Sequence, residues 1–79
     1  MSRWIDGTGV VHAISYPGKV TNPAVRVTLD FADGPLLLVF QSRTNLRAID
    51  IGQKIHVIGN CVTDGDQRLL YNPRYEILQ

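Results

Sequence analysis

The chain has 79 residues, a mass of 8.8 kDa and a formal net charge of +1 at pH 7. This length predicts one small domain over residues 1–79 and excludes a multi-domain enzyme, while 44% hydrophobic and 19% charged residues disfavour disorder. Val, Ile and Thr together number 20, against 7 for Ala, Glu and Lys, and this excess of β-branched residues favours strands over a helix bundle.

The first predicted strand covers residues 5–16 and contains two glycines, Gly7 and Gly9. Glycines inside a strand often mark a bend or a bulge, so we expect the sheet to curl over at this point. The following Pro-Gly pair ends the strand, and a loop continues to Pro23.

The second and third strands are predicted to form a hairpin. Apolar and polar residues alternate over residues 25–31, and the alternation resumes over residues 36–41 after the turn signal Asp33-Gly34-Pro35. The residues expected to point into the core are Val25, Val27, Leu29, Phe31, Leu36, Leu38 and Phe40. The residues expected on the opposite face are Arg26, Thr28, Asp30, Leu37, Val39 and Gln41.

A short helix is predicted between the third and fourth strands. Leu46 and Ile49 are three residues apart, which is a helical spacing, and they lie between Ser42 as an N-cap and Gly52 as a stop. The helix is therefore expected within residues 42–52.

Two further strands complete the chain. Residues 54–63 alternate again, with Val57 and Cys61 on the core side, and end at an Asp-Gly-Asp turn. The last strand is predicted over residues 68–78, with Pro73 marking an edge or a bulge. Its residues expected on the core side are Leu69, Tyr71, Tyr75 and Ile77.

Three strands, a short helix and two more strands make the order of the OB-fold, a five-stranded Greek-key barrel. A long first strand that contains glycines can belong to both halves of such a closed sheet. An SH3-like barrel is the main alternative, but it has its helical turn nearer the end of the chain. The sequence therefore predicts an all-β OB-fold barrel.

Several segments resemble those of bacterial OB-fold nucleic-acid-binding families. The residues that carry the resemblance are Gly9 to Val11, Ile14, Val27 to Asp30, Leu36, Leu38, Phe40, Leu46 to Gly52, Ile55, Val57 and Gly59. The run Leu70 to Glu76 is similar to the segment that closes the wedge domain of the RecG branched-DNA helicase, and the chain is also similar to anticodon-binding-type OB domains. The resemblance covers most of the chain and implies an OB fold with a nucleic-acid ligand.

The sequence contains no convincing catalytic or metal-binding motif. The Gly-Thr-Gly segment at residues 7–9 lacks the third glycine and the lysine of a phosphate loop. His56 and Cys61 have opposite parity on one strand, and Asp64 with Asp66 offers too few oxygen ligands for calcium. The serines lie in no nucleophile elbow. We expect no enzymatic activity, no metal and no cofactor.

A nucleic-acid ligand is expected across strands two and three, between the loops that join strands one to two and four to five. The candidate contacts in this region are Tyr16, Lys19, Arg26, Thr28 and Arg68. Six of the eight basic residues are arginines, whose guanidinium groups both bind phosphate and stack on bases. The sequence therefore predicts a module that binds single-stranded or branched DNA or RNA with little sequence preference.

Aromatic residues add little to this prediction. Only Tyr16 is expected to be placed for stacking on bases, because Phe31, Phe40, Tyr71 and Tyr75 have core parity. Trp4 is expected to cap the bottom of the barrel.

Leu37 and Val39 favour a different function. Two apolar side chains are unusual on a face that binds a polyanion, and they indicate a contact with another protein or with a second copy of the chain. The alternative function is therefore an OB-fold protein-interaction or homo-oligomerisation module without nucleic-acid binding.

The chain is expected to be a soluble cytoplasmic protein. Its longest apolar run, Leu36 to Phe40, is far shorter than the roughly 18 residues of a membrane span, and residues 1–9 hold no apolar signal-peptide core. A single cysteine, Cys61, cannot form an intrachain disulfide, which fits a reducing compartment.

Overall fold

The described residues of the protein form six β-strands that belong to one sheet. The computed structural model describes residues 2–18, 23–42, 46 and 48–78. The strands are β1 (Ser2–Ser15), β2 (Ala24–Phe31), β3 (Gly34–Gln41), β4 (Lys54–Asp64), β5 (Gln67–Tyr71) and β6 (Arg74–Ile77). Strands β5 and β6 are the two halves of the predicted last strand.

The sheet closes on itself through β1. Strand order is β1-β2-β3-β5-β4-β6, and β1 pairs with β4 along residues 2–10 and with β2 along residues 10–15. The β3–β5 pairing is parallel and the others are antiparallel. Because β6 continues β5 along the same side of β4, the architecture is a closed five-stranded barrel with an OB-like strand order.

The barrel interior is entirely apolar among the described residues. Its buried members are Ile5, Val11, Val25, Val27, Leu29, Leu36, Leu38, Phe40, Leu46, Ile49, Ile55, Val57, Cys61 and Leu70. The regular alternation of β2, β3 and β4 is thus confirmed, because the residues that it predicted to be buried, among them Leu29, Val57 and Cys61, lie inside. The β2–β3 turn itself consists of Ala32 and Asp33, and Gly34 already belongs to β3.

The glycines of β1 make room for an aromatic ring. A Cβ atom on Gly9 would lie 2.6 Å from Cδ1 of Phe31, and one on Gly7 would lie 3.2 Å from its Cε2. The bulge of β1 occurs further along, between Val11 and Ala13, where the pairing with β2 shifts by one residue. The prediction of a bend or bulge in this strand is right, but the glycines serve close packing and the bulge lies at His12.

The prediction of a helix between β3 and β4 is wrong for the described residues, which contain no helix. The same residues therefore include no helix that is long and apolar enough to cross a membrane. Ser42 has a φ of 61°, whereas an N-cap residue is extended, and Ala48 has a φ of 65°. Residues 43–45 and 47 lie outside the described part. Leu46 and Ile49 are both buried in the core, so their spacing reflects burial without helical geometry.

The last strand changes its register midway. Gly59 of β4 is opposed by both Asn72 and Pro73, which is a β-bulge, and the pairing with β4 is shifted by one residue between β5 and β6. Gly59 permits this arrangement, since a Cβ there would lie 2.8 Å from a Leu70 methyl group. The inward residue of β5 is consequently Leu70. Leu69 and Tyr71 point outward, contrary to the prediction, although Leu69 is only 6% exposed.

Candidate nucleic-acid interface

The outer face of β2, β3 and β5 contains two rows of neighbouring side chains. Arg26 pairs with Val39, and Val39 pairs with Tyr71. In the adjacent row, Thr28 pairs with Leu37, and Leu37 pairs with Leu69. The predicted outward parity of Arg26, Thr28, Leu37 and Val39 is therefore confirmed, and these residues meet on one surface.

An open groove follows the first row. Arg26, Val39 and Tyr71 line it together with Pro23, Ala24, Gln41 and Ser42. Arg26 is exposed and has no ion-pair or hydrogen-bond partner among the described residues, whereas Val39 is only 4% exposed and forms the floor. The groove thus has an exposed guanidinium and an exposed aromatic ring on opposite sides of an apolar floor.

Asn72 fixes one end of this groove. Its Oδ1 accepts a hydrogen bond from the backbone N–H of Gln41 at 2.8 Å, and its Nδ2 donates to Oε1 of Gln41 at 3.0 Å. Its own N–H donates to the carbonyl of Val39 at 2.8 Å. Asn72 adopts a φ of 50°, a left-handed conformation that asparagine tolerates better than most residues. These three bonds hold the bulge, and with it Tyr71, against the end of β3.

Tyr71 is the residue of the groove that the sequence reasoning missed. It is 49% exposed, because the bulge after it reverses the parity that was extrapolated from Tyr75 and Ile77. The Asn-Pro pair at residues 72–73 was the signal in the sequence, since proline inside a strand accompanies bulges and edges. Tyr75, by contrast, packs edge-on against Phe40 with a centroid distance of 5.4 Å.

Tyr16 and Lys19 belong to the loop after β1. Tyr16 is 52% exposed and follows Ser15, which pairs with Arg26. The structure therefore places Tyr16 near the β2 end of the groove, one residue beyond the strand. Lys19 lies outside the described residues.

Arg68 is engaged by the β2–β3 turn. Its guanidinium donates to both carboxylate oxygens of Asp33, at 3.1 and 3.2 Å, and to the carbonyl oxygens of Gly34 and Pro35. The hydrogen bond from Arg68 holds the pKa of the exposed Asp33 carboxyl below its usual value. Arg68 thus differs from Arg26, because the guanidinium of Arg68 already donates hydrogen bonds within the protein.

Leu37 and Val39 differ in their availability for a protein contact. Leu37 is half-buried in the row with Leu69, but Val39 is nearly covered by its neighbours. Trp4 does not cap the barrel, contrary to the expectation, because it lies on the outer face of β1 and is 63% exposed. Within the described ranges, no three potential metal-ligating side chains come together.

The fold and groove define a small OB-like barrel with a basic and aromatic outer groove, and the comparisons agree with this fold. No protein-family model and no curated protein matches the chain. Among solved structures, the chain is similar to the tetrameric p202 HIN2, with a TM-score of 0.74 and 17% sequence identity. The match covers all of this chain and 43% of that chain, so this chain spans less than half of that protein's length. At this identity, the likeness shows the fold alone.

Proposed function

We propose that the protein binds single-stranded nucleic acid in the groove of Arg26 and Tyr71, with little sequence preference. The observation that carries the proposal is the exposed Arg26 guanidinium, without a partner among the described residues, across Val39 from the exposed Tyr71 ring in one groove. Proteins that bind single strands combine cationic side chains for phosphate with aromatic rings on which bases of any identity stack. This pairing supports DNA and RNA equally.

The backbone that carries Tyr71 is held in place before binding. The Asn72 bonds fix the bulge after Tyr71, so little backbone entropy is lost when a base stacks on the ring. In this proposal Thr28 and Tyr16 flank the groove, and Arg68 acts as a positioning residue that holds the β2–β3 turn through Asp33. Branched nucleic acid is included on the basis of the resemblance of residues 70–76 alone.

The test is fluorescence anisotropy of labelled single-stranded DNA and RNA oligomers at several salt concentrations. If about three phosphates are neutralised, the slope of log affinity against log salt is about −2, from roughly −0.7 for each phosphate on a single strand. Arg26→Ala is expected to weaken binding and to flatten that slope by about 0.7. Tyr71→Ala is expected to weaken binding about 5- to 150-fold and to leave the slope unchanged.

Lys54→Ala is the matched control, because Lys54 is an exposed cation on β4 that pairs with Val10, away from the groove. It is expected to bind like the wild type. Binding that is absent, insensitive to salt, or equally weakened by Lys54→Ala and Arg26→Ala contradicts the proposal.

Self-association is the second candidate function, favoured by the half-buried Leu37 on the outer face, whose neighbour Leu69 is only 6% exposed. The p202 HIN2 to which the chain is similar is tetrameric. Val39 contributes little surface to such a contact, because it is nearly buried. Light scattering decides between the two: a dimer that Leu37→Asp converts to a monomer, together with no salt-dependent nucleic-acid binding, favours the interaction module.

The lack of enzymatic activity and of a cofactor, a cytoplasmic location and a protein partner remain proposals from the sequence. They accord with a small binding module that works beside another factor.

A further inference from the structure

We propose that the bound strand crosses β5 and β4 and ends on Trp4, which provides a second stacking surface on β1. This inference rests on the proposed function, because it extends the ligand of the Arg26 groove. It assigns a binding role to Trp4, which lies outside the face of β2 and β3 where the ligand is expected.

The pairing registers place Trp4 in line with Tyr71. Tyr71 follows Leu70, which pairs with Cys61, so Tyr71 comes level with Asn60 of β4. Asn60 in turn pairs with Trp4. Since neighbouring strands are about 4.8 Å apart, Tyr71 and Trp4 are separated by about 10 Å of surface. The row of Arg26, Val39 and Tyr71 thus continues through Asn60 to Trp4.

The exposure of these side chains fits a contact surface. Trp4 is 63% exposed and Tyr71 is 49% exposed, and Asn60 between them is exposed and uncharged. The core is complete without the Trp4 indole, since Ile5 is the adjacent residue that points inward. A large aromatic side chain that the barrel does not bury is suited to stacking on a base.

A second exposed arginine lies beside this row. Arg74 of β6 pairs with Ile58, points outward and has no acidic partner among the described residues. Arg74 lies on the same side of β4 as Tyr71, in the row of Ile58 that is next to the row of Asn60, so it places a second cation beside the proposed path. Asp6 pairs with Ile58 from the β1 side and therefore lies in the row of Arg74, two residues along β1 from Trp4. Its carboxylate, which contacts His56, limits the path of a polyanion on that side of Trp4.

Trp4 is the only tryptophan of the chain, so its emission reports directly on this site. The experiment titrates the full chain with oligothymidine of about 12 nucleotides and of about 2 nucleotides, because OB folds cover roughly 4–16 nucleotides. Trp4 emission is expected to be quenched by the longer oligomer and to change little with the shorter one. Trp4→Ala is expected to weaken the longer oligomer about 5- to 150-fold and to leave the shorter one unaffected.

Two variants serve as controls. Trp4→Phe keeps a stacking ring and is expected to retain most of the affinity, which shows that the loss in Trp4→Ala comes from the ring. Ile51→Ala removes an equally exposed apolar side chain, 64% exposed in the turn before β4, and is expected to bind like the wild type.

The outcomes separate this inference from the function on which it rests. If the longer oligomer binds with a salt dependence that requires Arg26, but Trp4 emission and Trp4→Ala binding are unchanged, the extended path is wrong and the groove remains. If no oligomer binds with salt dependence, both proposals are wrong. If Trp4 emission instead depends on protein concentration and Trp4→Ala abolishes a dimer, this face is a protein interface and the path is overturned.

Discussion

The β2–β3 hairpin and the β5–β6 segment are built from similar apolar and polar residues, but they differ in how they keep their register. Every residue from Ala24 to Phe31 pairs with β3 in one unbroken register. The β5–β6 segment shifts by one residue against β4 at Asn72 and Pro73. A single bulge therefore decides that Tyr71 faces solvent while Tyr75 faces the core.

The bulge therefore gives different roles to two tyrosines that are four residues apart. Without the bulge, both would have the same parity, and the groove beside Arg26 would lack its ring. The regular hairpin supplies the stable inner face, and the irregular strand supplies the side chain that we propose to contact the ligand.

The largest expected effect on stability comes from a substitution in the core of the regular hairpin. Leu29 is completely buried in β2, so Leu29→Ala is expected to lower the free energy of unfolding by about 2–5 kcal/mol. Urea denaturation followed by circular dichroism measures the loss. Arg26→Ala, on the outer face of the same strand, is expected to stay within about 0.5 kcal/mol of the wild type. Equal losses in the two variants would mean that the faces of β2 are assigned incorrectly.

A smaller effect separates the two tyrosines. Tyr75→Ala removes the edge-on contact with Phe40 and is expected to lower stability by about 1–3 kcal/mol. Tyr71→Ala is expected to change stability little and to weaken nucleic-acid binding. Thermal melts and anisotropy on both variants give the comparison, and a reversed pattern would place the bulge elsewhere in the strand.

The bulge itself is tested through Asn72. Asn72→Gly removes the side-chain bonds to Gln41 but accepts the left-handed backbone, and is expected to lower stability by about 0.5–1.5 kcal/mol. Asn72→Ala adds the backbone cost of about 1–2 kcal/mol for a left-handed alanine. Chemical denaturation of the two variants separates these costs. An Asn72→Ala variant that is as stable as Asn72→Gly would contradict the left-handed conformation.

The smallest effect concerns pH and the β2–β3 turn. Arg68 lowers the pKa of Asp33, so the folded state favours the charged carboxylate. The resulting stabilisation is present above the ordinary pKa of aspartate and is lost as the pH falls through the lowered pKa of the folded state. Thermal melts at neutral and acidic pH measure this effect. In Asp33→Asn the melting temperature is expected to fall less on acidification than in the wild type. In Asp66→Asn, a change in the exposed β4–β5 turn, it is expected to fall as much as in the wild type.

Much of the fold could be predicted from local patterns. Alternation in β2, β3 and β4 located the inward residues, because a strand with one buried face repeats every two residues. The prediction of a helix from Leu46 and Ile49 is wrong for the described residues, because two apolar residues three apart can both be buried without helical backbone. The spacing of these residues reflects their burial, and many different backbone conformations can bury the same two side chains.

The sequence by itself determined the barrel class, the inner face of the hairpin and the outward position of Arg26, since these depend on the period of neighbouring residues. Only the tertiary structure decided that Tyr71 and Trp4 are exposed, that Arg68 is engaged by Asp33, and that Val39 is covered. Each of these depends on residues distant in the chain. They are Gly59 opposite the bulge, Asn60 beside Trp4, Asp33 in another turn, and Arg26 and Tyr71 on either side of Val39. Local periodicity carries no information about such partners, because strand register is set by the packing of the whole barrel.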